Sequence, residues 1–157
     1  MSTYLTVEEA NEYIKTHYLS TDTLRKSWEA LSDEDKTVLL TVSTEAIDSY
    51  PWPGRKALAS QEHAFPRYPY IEVPKAVLFA CIENAATMSD STKTADIDTY
   101  RKMWAYGVSS YSIGNYSETI VQGGGSGGAS TFVQYGVLSD KAQTLLRPFM
   151  GGGYCIE

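Results

Sequence analysis

Few residues in this 157-residue chain are placed to do chemistry, and the most literal pattern is Gly124-Gly125-Ser126-Gly127-Gly128. Written as G-x-S-x-G, it is the nucleophile elbow, in which a serine sits on a sharp strand-to-helix turn. The elbow needs a helix after it and an acid and a histidine later in the chain. Both histidines, His17 and His63, precede Ser126, and no helix signal follows it. The run reads instead as a flexible linker. It is no phosphate loop either, because no Gly-Lys-Ser/Thr follows. Glu8, Glu9 and Glu12, Asp33-Glu34-Asp35, and Asp96 with Asp98 are the acidic groupings. No histidine or cysteine completes a metal set with any of them. Cys81 lies in an apolar stretch and reads as a small buried hydrophobe. Cys155 lies near the end, and two cysteines so placed are neither a disulfide framework nor a zinc motif. We expect no catalytic residue, no metal and no cofactor.

Binding chemistry has more material. Arg55, Lys56, Arg67 and Lys75 cluster in sequence, within and just after a stretch holding Trp52, Phe65 and Tyr68. Tyr111 and Tyr116 stand in a Ser- and Tyr-rich segment and would suit a base-stacking platform. Against nucleic acid stands a net charge of −6 and a pI of about 4.9, since binders of a phosphate backbone usually show a basic face. On that balance the cations read as scattered solvated charges. Tyr111, Ile113 and Tyr116 read as hairpin contacts covering a core or a subunit. The loop aromatics and arginines are typical interface anchors.

The elements that position these residues follow from periodicity and caps. Thr6 and Glu9 form a capping box before apolar residues at Val7, Ala10, Ile14 and Tyr18, which predicts a helix over about 7–17. Ser20 or Thr21 starts a second helix with Leu24, Trp28 and Leu31. Ser32, followed by three acids that favour a helix N-terminus, starts a third that runs to about Ser49. Its inward face is predicted as Val38, Leu39, Val42, Ala46 and Ile47. Pro74 suits the first turn of a fourth helix, whose core Val77-Leu78-Phe79-Ala80-Cys81-Ile82 is apolar nearly all round. Such a helix is buried on several sides, either centrally or against a neighbouring subunit. Residues 89–99 are polar. Residues 108–121, with Gly114-Asn115 near a bend, read as a small hairpin. Ser139 caps a last helix carrying Ala142, Leu145, Leu146 and Phe149. Gly151-Gly152-Gly153 then releases Tyr154-Cys155-Ile156-Glu157.

The fold class is therefore mainly α: a four- to five-helix bundle with a small inserted β-hairpin and an extended C-terminal tail. One domain spans 1–157, with a helical core at about 6–90. The hairpin and Gly-rich linker occupy about 104–136, and the last helix and tail about 139–157. An apolar content of 43 % and a charged content of 20 % are ordinary for a globular chain. No apolar run is long enough to span a bilayer. The first residues lack the features of a signal peptide, so cytoplasmic production is expected.

Residues 48–74 are unusual: they hold five of the six prolines and cross between two helices without helical spacing. Long crossings inside compact domains are usually functional or disordered, and the aromatic content argues for order. The order of pieces is distinctive. A helix opening Thr6-Val7-Glu8-Glu9-Ala10-Asn11-Glu12-Tyr13 precedes a Trp28 helix and an apolar helix ending Ala46-Ile47-Asp48. Gly54-Arg55-Lys56, Gln61 and Phe65-Pro66-Arg67 follow. A helix from Val73-Pro74 to Glu83-Asn84-Ala85-Ala86 completes the series. It resembles the head-to-tail adaptor (connector, head-completion) proteins of long-tailed bacteriophages, sequences often labelled DnaT-like single-stranded-DNA-binding proteins. The resemblance covers nearly the whole chain and is strongest over 4–86.

The resemblance implies a structural virion protein, made in the host cytoplasm and located in the head-tail neck. It would form a homo-oligomeric ring, in the family usually a dodecamer, beneath the portal protein. The ring would extend the DNA channel and dock a neck stopper or tail-terminator protein. Genomic DNA would pass its lumen without specific binding during ejection. Trp52, Arg55, Phe65, Arg67 and Tyr68 would pack the loop or the next subunit. Phe149, Tyr154, Cys155 and Ile156 would form a portal-binding tail. The long Gly-rich linker and the polar 89–99 stretch depart from the simplest family pattern. The alternative is a DnaT-like single-stranded-DNA-binding module.

Overall fold

A computed structural model of the chain describes residues 2–95, 98–99, 110–113, 116–119 and 135–151. The fold in these residues is mainly α. Helix α1 (Val7–His17) carries the expected capping box: the Glu9 N–H donates to Thr6 Oγ1 and the Thr6 N–H to Glu9 Oε2 at 2.8 Å. Its buried face is Ala10, Tyr13 and Ile14. Helix α2 (Thr23–Glu29) is capped by Asp22, which accepts from the Leu24 N–H at 2.9 Å, and not by Ser20 or Thr21. Trp28 is buried on it, its indole N–H donating to Asn11 Oδ1 at 2.9 Å and so tying α2 to α1.

Helix α3 (Asp33–Ser49) is capped by Ser32 as its sequence predicts. Its inward face differs from the predicted one. Lys36, Leu40, Ser43, Thr44, Ala46 and Ile47 are buried, whereas Val38 and Val42 are exposed at 58 % and 43 %. The buried positions 36, 40, 43, 44 and 47 follow the helical period. Two of them are hydroxyls with partners: Ser43 donates to the Cys81 carbonyl and Thr44 to the Leu40 carbonyl, each at 2.8 Å. Satisfied hydroxyls bury at little cost. The face therefore holds polar residues that an apolar count passes over.

Helix α4 (Lys75–Ser89) is the central element. An unbroken run from Ala80 to Thr87 is buried, and α4 touches α1, α2, α3 and the last helix, α5 (Asp140–Leu146). Its all-round apolar character is thus used within the subunit. Asp90 caps a further helical turn at 91–95, accepting from the Thr92 N–H at 3.1 Å. Ser139 caps α5, and a 3-10 turn, Arg147–Phe149, continues from it.

Asn84 lies fully buried in α4 and fixes the chain where it returns to the bundle. Its Oδ1 accepts from the N–H of Leu138 at 2.7 Å and of Ser139 at 3.4 Å, and its Nδ2 donates to the Gly136 carbonyl and to Ser43. Gly136 has φ +89° and crowds Ala46, so a side chain there is unwelcome on both counts.

Between α4 and α5 the described residues include two four-residue strands, β1 (Ser110–Ile113) and β2 (Tyr116–Thr119), paired with Ile113 opposite Tyr116. The residues joining and flanking them lie outside the described set. Beyond this strand pair, the small inserted hairpin expected within 108–121 is not supported. Among the described residues no helix is long and apolar enough to cross a membrane.

Candidate functional site

The crossing loop between α3 and α4 is built from the inside outward. Trp52 is buried, donates its indole N–H to the Ile47 carbonyl at 2.7 Å, and meets Phe65 edge-on at 5.0 Å. Arg67 spends its guanidinium on backbone. It donates to the carbonyls of Trp52 (3.1 Å), Pro53 (3.1 Å), Gly54 (2.6 Å) and Ala64 (3.3 Å). Gly54 has φ +78°, a conformation glycine adopts without strain. Residues 55–57 and 66–68 then run antiparallel. The Ala57 N–H donates to the Pro66 carbonyl, the Tyr68 N–H donates to the Arg55 carbonyl, and Lys56 bridges Arg67. Gln61 plugs the turn, its amide donating to the carbonyls of His63 and Pro66 and accepting from the Leu58 N–H. The Phe65-Pro66 and Tyr68-Pro69 peptides are cis.

A second anchor ties the loop to α3 and to the start of the chain. Asp48 accepts from the Tyr4 hydroxyl, from His63 Nδ1 at 2.7 Å and from the Ala64 N–H at 2.8 Å. His63 Nε2 lies 2.8 Å from Ser2 Oγ, which donates to Glu62 at 2.5 Å. Aspartate, histidine and serine are thus in line, an arrangement absent from the sequence reading because only the fold brings residues 2, 48 and 63 together. As built it is a hydrogen-bond chain holding residues 2–5 on the loop. Ser2 is exposed, its hydroxyl is given to Glu62, and the described cavity lies elsewhere.

That cavity, of about 570 Å³, is lined by Arg55, Lys56, Ala57, Ala59 and Tyr68. The Arg55 guanidinium stacks over the Tyr68 ring at 4.9 Å. Around it the loop exposes large apolar side chains: Leu58, Tyr68, Tyr70 and Ile71, the last at 89 %. Of the four cations noted in sequence, Arg55 and Lys56 share this groove, Arg67 is consumed inside the loop, and Lys75 is exposed at the start of α4. Phe149 is half-buried against Phe65 (5.5 Å) and Tyr70 (5.9 Å), so it packs on the loop within its own subunit. Tyr111, Ile113 and Tyr116 lie in the strand pair. Tyr154, Cys155 and Ile156 lie outside the described residues. Cys81 is fully buried, and burial raises its thiol pKa.

A polar cluster between α1, α4 and α5 escaped sequence reading altogether. Glu83, 1 % exposed, accepts from the hydroxyls of Tyr13 (2.6 Å) and Tyr18 and pairs with Lys141 Nζ at 2.6 Å. The only signal was a carboxylate inside an apolar helix. Burial first, and then the bond to Glu83, push both phenols well above the usual tyrosine range. Burial and Asp48 do the same for Tyr4. The unfolded chain loses these protons near pH 10, while the folded chain keeps them. Stability is therefore expected in full below about pH 10 and to fall as pH rises beyond it. Urea titrations from pH 8 to 11 check this. Tyr13→Phe with Tyr18→Phe should flatten the decline, and an unchanged slope would exclude these phenols as its source.

Among the described residues no group of three or more His, Cys, Asp or Glu side chains is placed to hold a metal ion. A family model described as "Putative DnaT-like ssDNA binding protein" matches residues 1–156. No curated protein and no solved structure matches the chain.

Proposed function

The chain belongs to the family described as "Putative DnaT-like ssDNA binding protein"; on the geometry of its crossing loop, and not on that description, we propose that it is a structural adaptor of a DNA-handling assembly. In this reading it is a virion protein that forms a ring under a phage portal, extends the DNA channel and docks the next neck protein. The observation that carries the proposal is the crossing loop. It is ordered from within by Trp52, Arg67 and Gln61, yet it exposes Leu58, Tyr68, Tyr70 and Ile71. Apolar side chains held out on a rigid loop are the usual mark of a protein-binding surface. Val38 and Val42 on α3 add a second exposed apolar stripe for a neighbouring copy. A net charge of −6 suits a lumen that does not grip phosphates. The resemblance to head-to-tail adaptors points the same way. The segment beyond Gly151, with Tyr154, Cys155 and Ile156, is proposed to reach the portal.

The second reading is single-stranded DNA contact, and the family description supports it directly. The groove supplies a specific observation in its favour: Arg55 over Tyr68 beside Lys56 offers a stacking face next to two cations. Two measurements separate the readings. The adaptor reading expects purified protein to co-sediment with portal rings and to appear as a ring by negative-stain imaging. It also expects Leu58→Asp with Ile71→Asp to abolish both while the protein still melts normally. The DNA reading expects oligonucleotide affinity that falls steeply with salt and is lost in Arg55→Glu with Lys56→Glu. Failure to associate with portal at any ratio would overturn the adaptor reading, and salt-dependent binding in its place would establish the other.

A further inference from the structure

Helix α3 turns one face to solvent along most of its length. Glu34, Val38, Val42 and Glu45 follow one another at helical spacing, and all four are exposed. The stripe covers about 16 Å of the helix. Asp33 and Asp35 are exposed beside it, and the one cation of the helix, Lys36, is buried and lies 3.6 Å from Asp33. This face is therefore apolar at its centre and acidic at both ends. The crossing loop has the opposite sign. From Pro53 to Ser60 every residue is exposed, with Arg55, Lys56 and Leu58 among them and no acid. Tyr68, exposed as well, lines the groove with the two cations. Among the described residues no ion pair joins Glu34 or Glu45 to Arg55 or Lys56. Two faces of opposite charge thus stand on one chain without meeting.

We infer that the α3 stripe of one copy docks on the crossing loop of the next, head to tail. Leu58 and Tyr68 of one copy meet Val38 and Val42 of its neighbour, and Arg55 and Lys56 face Glu34 and Glu45. Charge selects this pairing. The chain carries −6 overall, so two copies repel unless their contact pairs opposite signs. A contact of α3 with α3 sets acids on acids, and a contact of loop with loop sets cations on cations. The crossed arrangement alone matches both charge and apolar surface. Because it uses two different patches, every added copy leaves one of each free, and growth stops only when the rotation closes. The inference rests on the ring of the proposed function and names the surfaces that join its subunits.

Charge reversal on each face makes a direct test, read by sedimentation of the full chain alone and with portal rings. Glu34→Lys with Glu45→Lys, or Arg55→Glu with Lys56→Glu, should each weaken self-association about tenfold or more. An equimolar mixture of the two variants should restore it, because each then presents the sign that the other needs. Disulfide trapping is independent of those charges. In a Cys155→Ser background Cys81 is buried and stays out of the reaction. Val42→Cys protein mixed with Leu58→Cys protein should then give, under mild oxidation, dimers linked mainly between positions 42 and 58. Dimers linked mainly through like positions would overturn the inference. So would wild-type assemblies on portal that persist in both charge variants, and that result would leave the adaptor reading standing. Self-association that follows the charges without any binding to portal would uphold the contact and overturn the adaptor reading. No assembly of the wild-type chain, alone or on portal, would overturn both.

Discussion

Replacing Trp52 by Ala is expected to lower the unfolding free energy by about 3–5 kcal/mol, the range for truncating a buried large aromatic. The indole is the keystone of the crossing loop. It fills the space between Tyr50 and Phe65, and its N–H satisfies the Ile47 carbonyl at the end of α3. Its own carbonyl is one of the four that Arg67 gathers. Loss of the ring therefore leaves a cavity and loosens the guanidinium network beside it. A urea midpoint shift measured against wild type checks the magnitude. Trp52→Phe should recover part of the loss, because a smaller ring refills some of the cavity without the N–H donor. If Trp52→Ala melts like wild type and still associates with partners, the loop is not held from within as described. Arg67→Lys is a companion test: one ammonium cannot replace a fork that reaches four carbonyls.

Much of the bundle was legible because helix signals are local. Thr6 with Glu9 and Ser32 with Asp35 announce their helices within four residues, and Ser139 does the same for α5. The missed features are those in which a polar residue does a core residue's task. Ser43 and Thr44 face inward because they find carbonyls on α4 and on their own helix, and Val38 and Val42 are displaced to the surface. Periodicity counted over apolar residues alone keeps Ala46 and Ile47 inward but wrongly adds Val38 and Val42. In the loop, sequence singled out Trp52, Arg67 and Gln61 without revealing what they hold. Arg67 is expected to pack the loop or the next subunit, and the positions of four carbonyls show what it holds. The Asp48–His63–Ser2 chain and the Glu83 cluster depend on contacts between residues 15 to 70 positions apart. No spacing rule reaches that far.

Asn84 is the clearest case of such a long-range polar tie, and Asn84→Ala is expected to cost about 2–4 kcal/mol by stranding buried backbone groups. In the native fold its side chain satisfies the N–H groups of Leu138 and Ser139 and the carbonyl of Gly136. Those three residues are where the chain re-enters the bundle and where Ser139 begins α5. With the amide gone, water must reach these groups or they stay unpaired. The loss should be local before it is global, because α1 keeps its Tyr13–Glu83 bond to α4 and α3 its Ser43–Cys81 bond. Hydrogen exchange is the discriminating measurement. Protection over 137–146 should fall by a larger factor than protection over α1 and α3, which stay tied to α4. Asn84→Asp should be intermediate: its carboxylate can still accept from the two N–H groups but cannot donate to Gly136 or Ser43. Uniform loss of protection along the chain would mean that Asn84 supports the whole core, and that α5 has no separate attachment to lose.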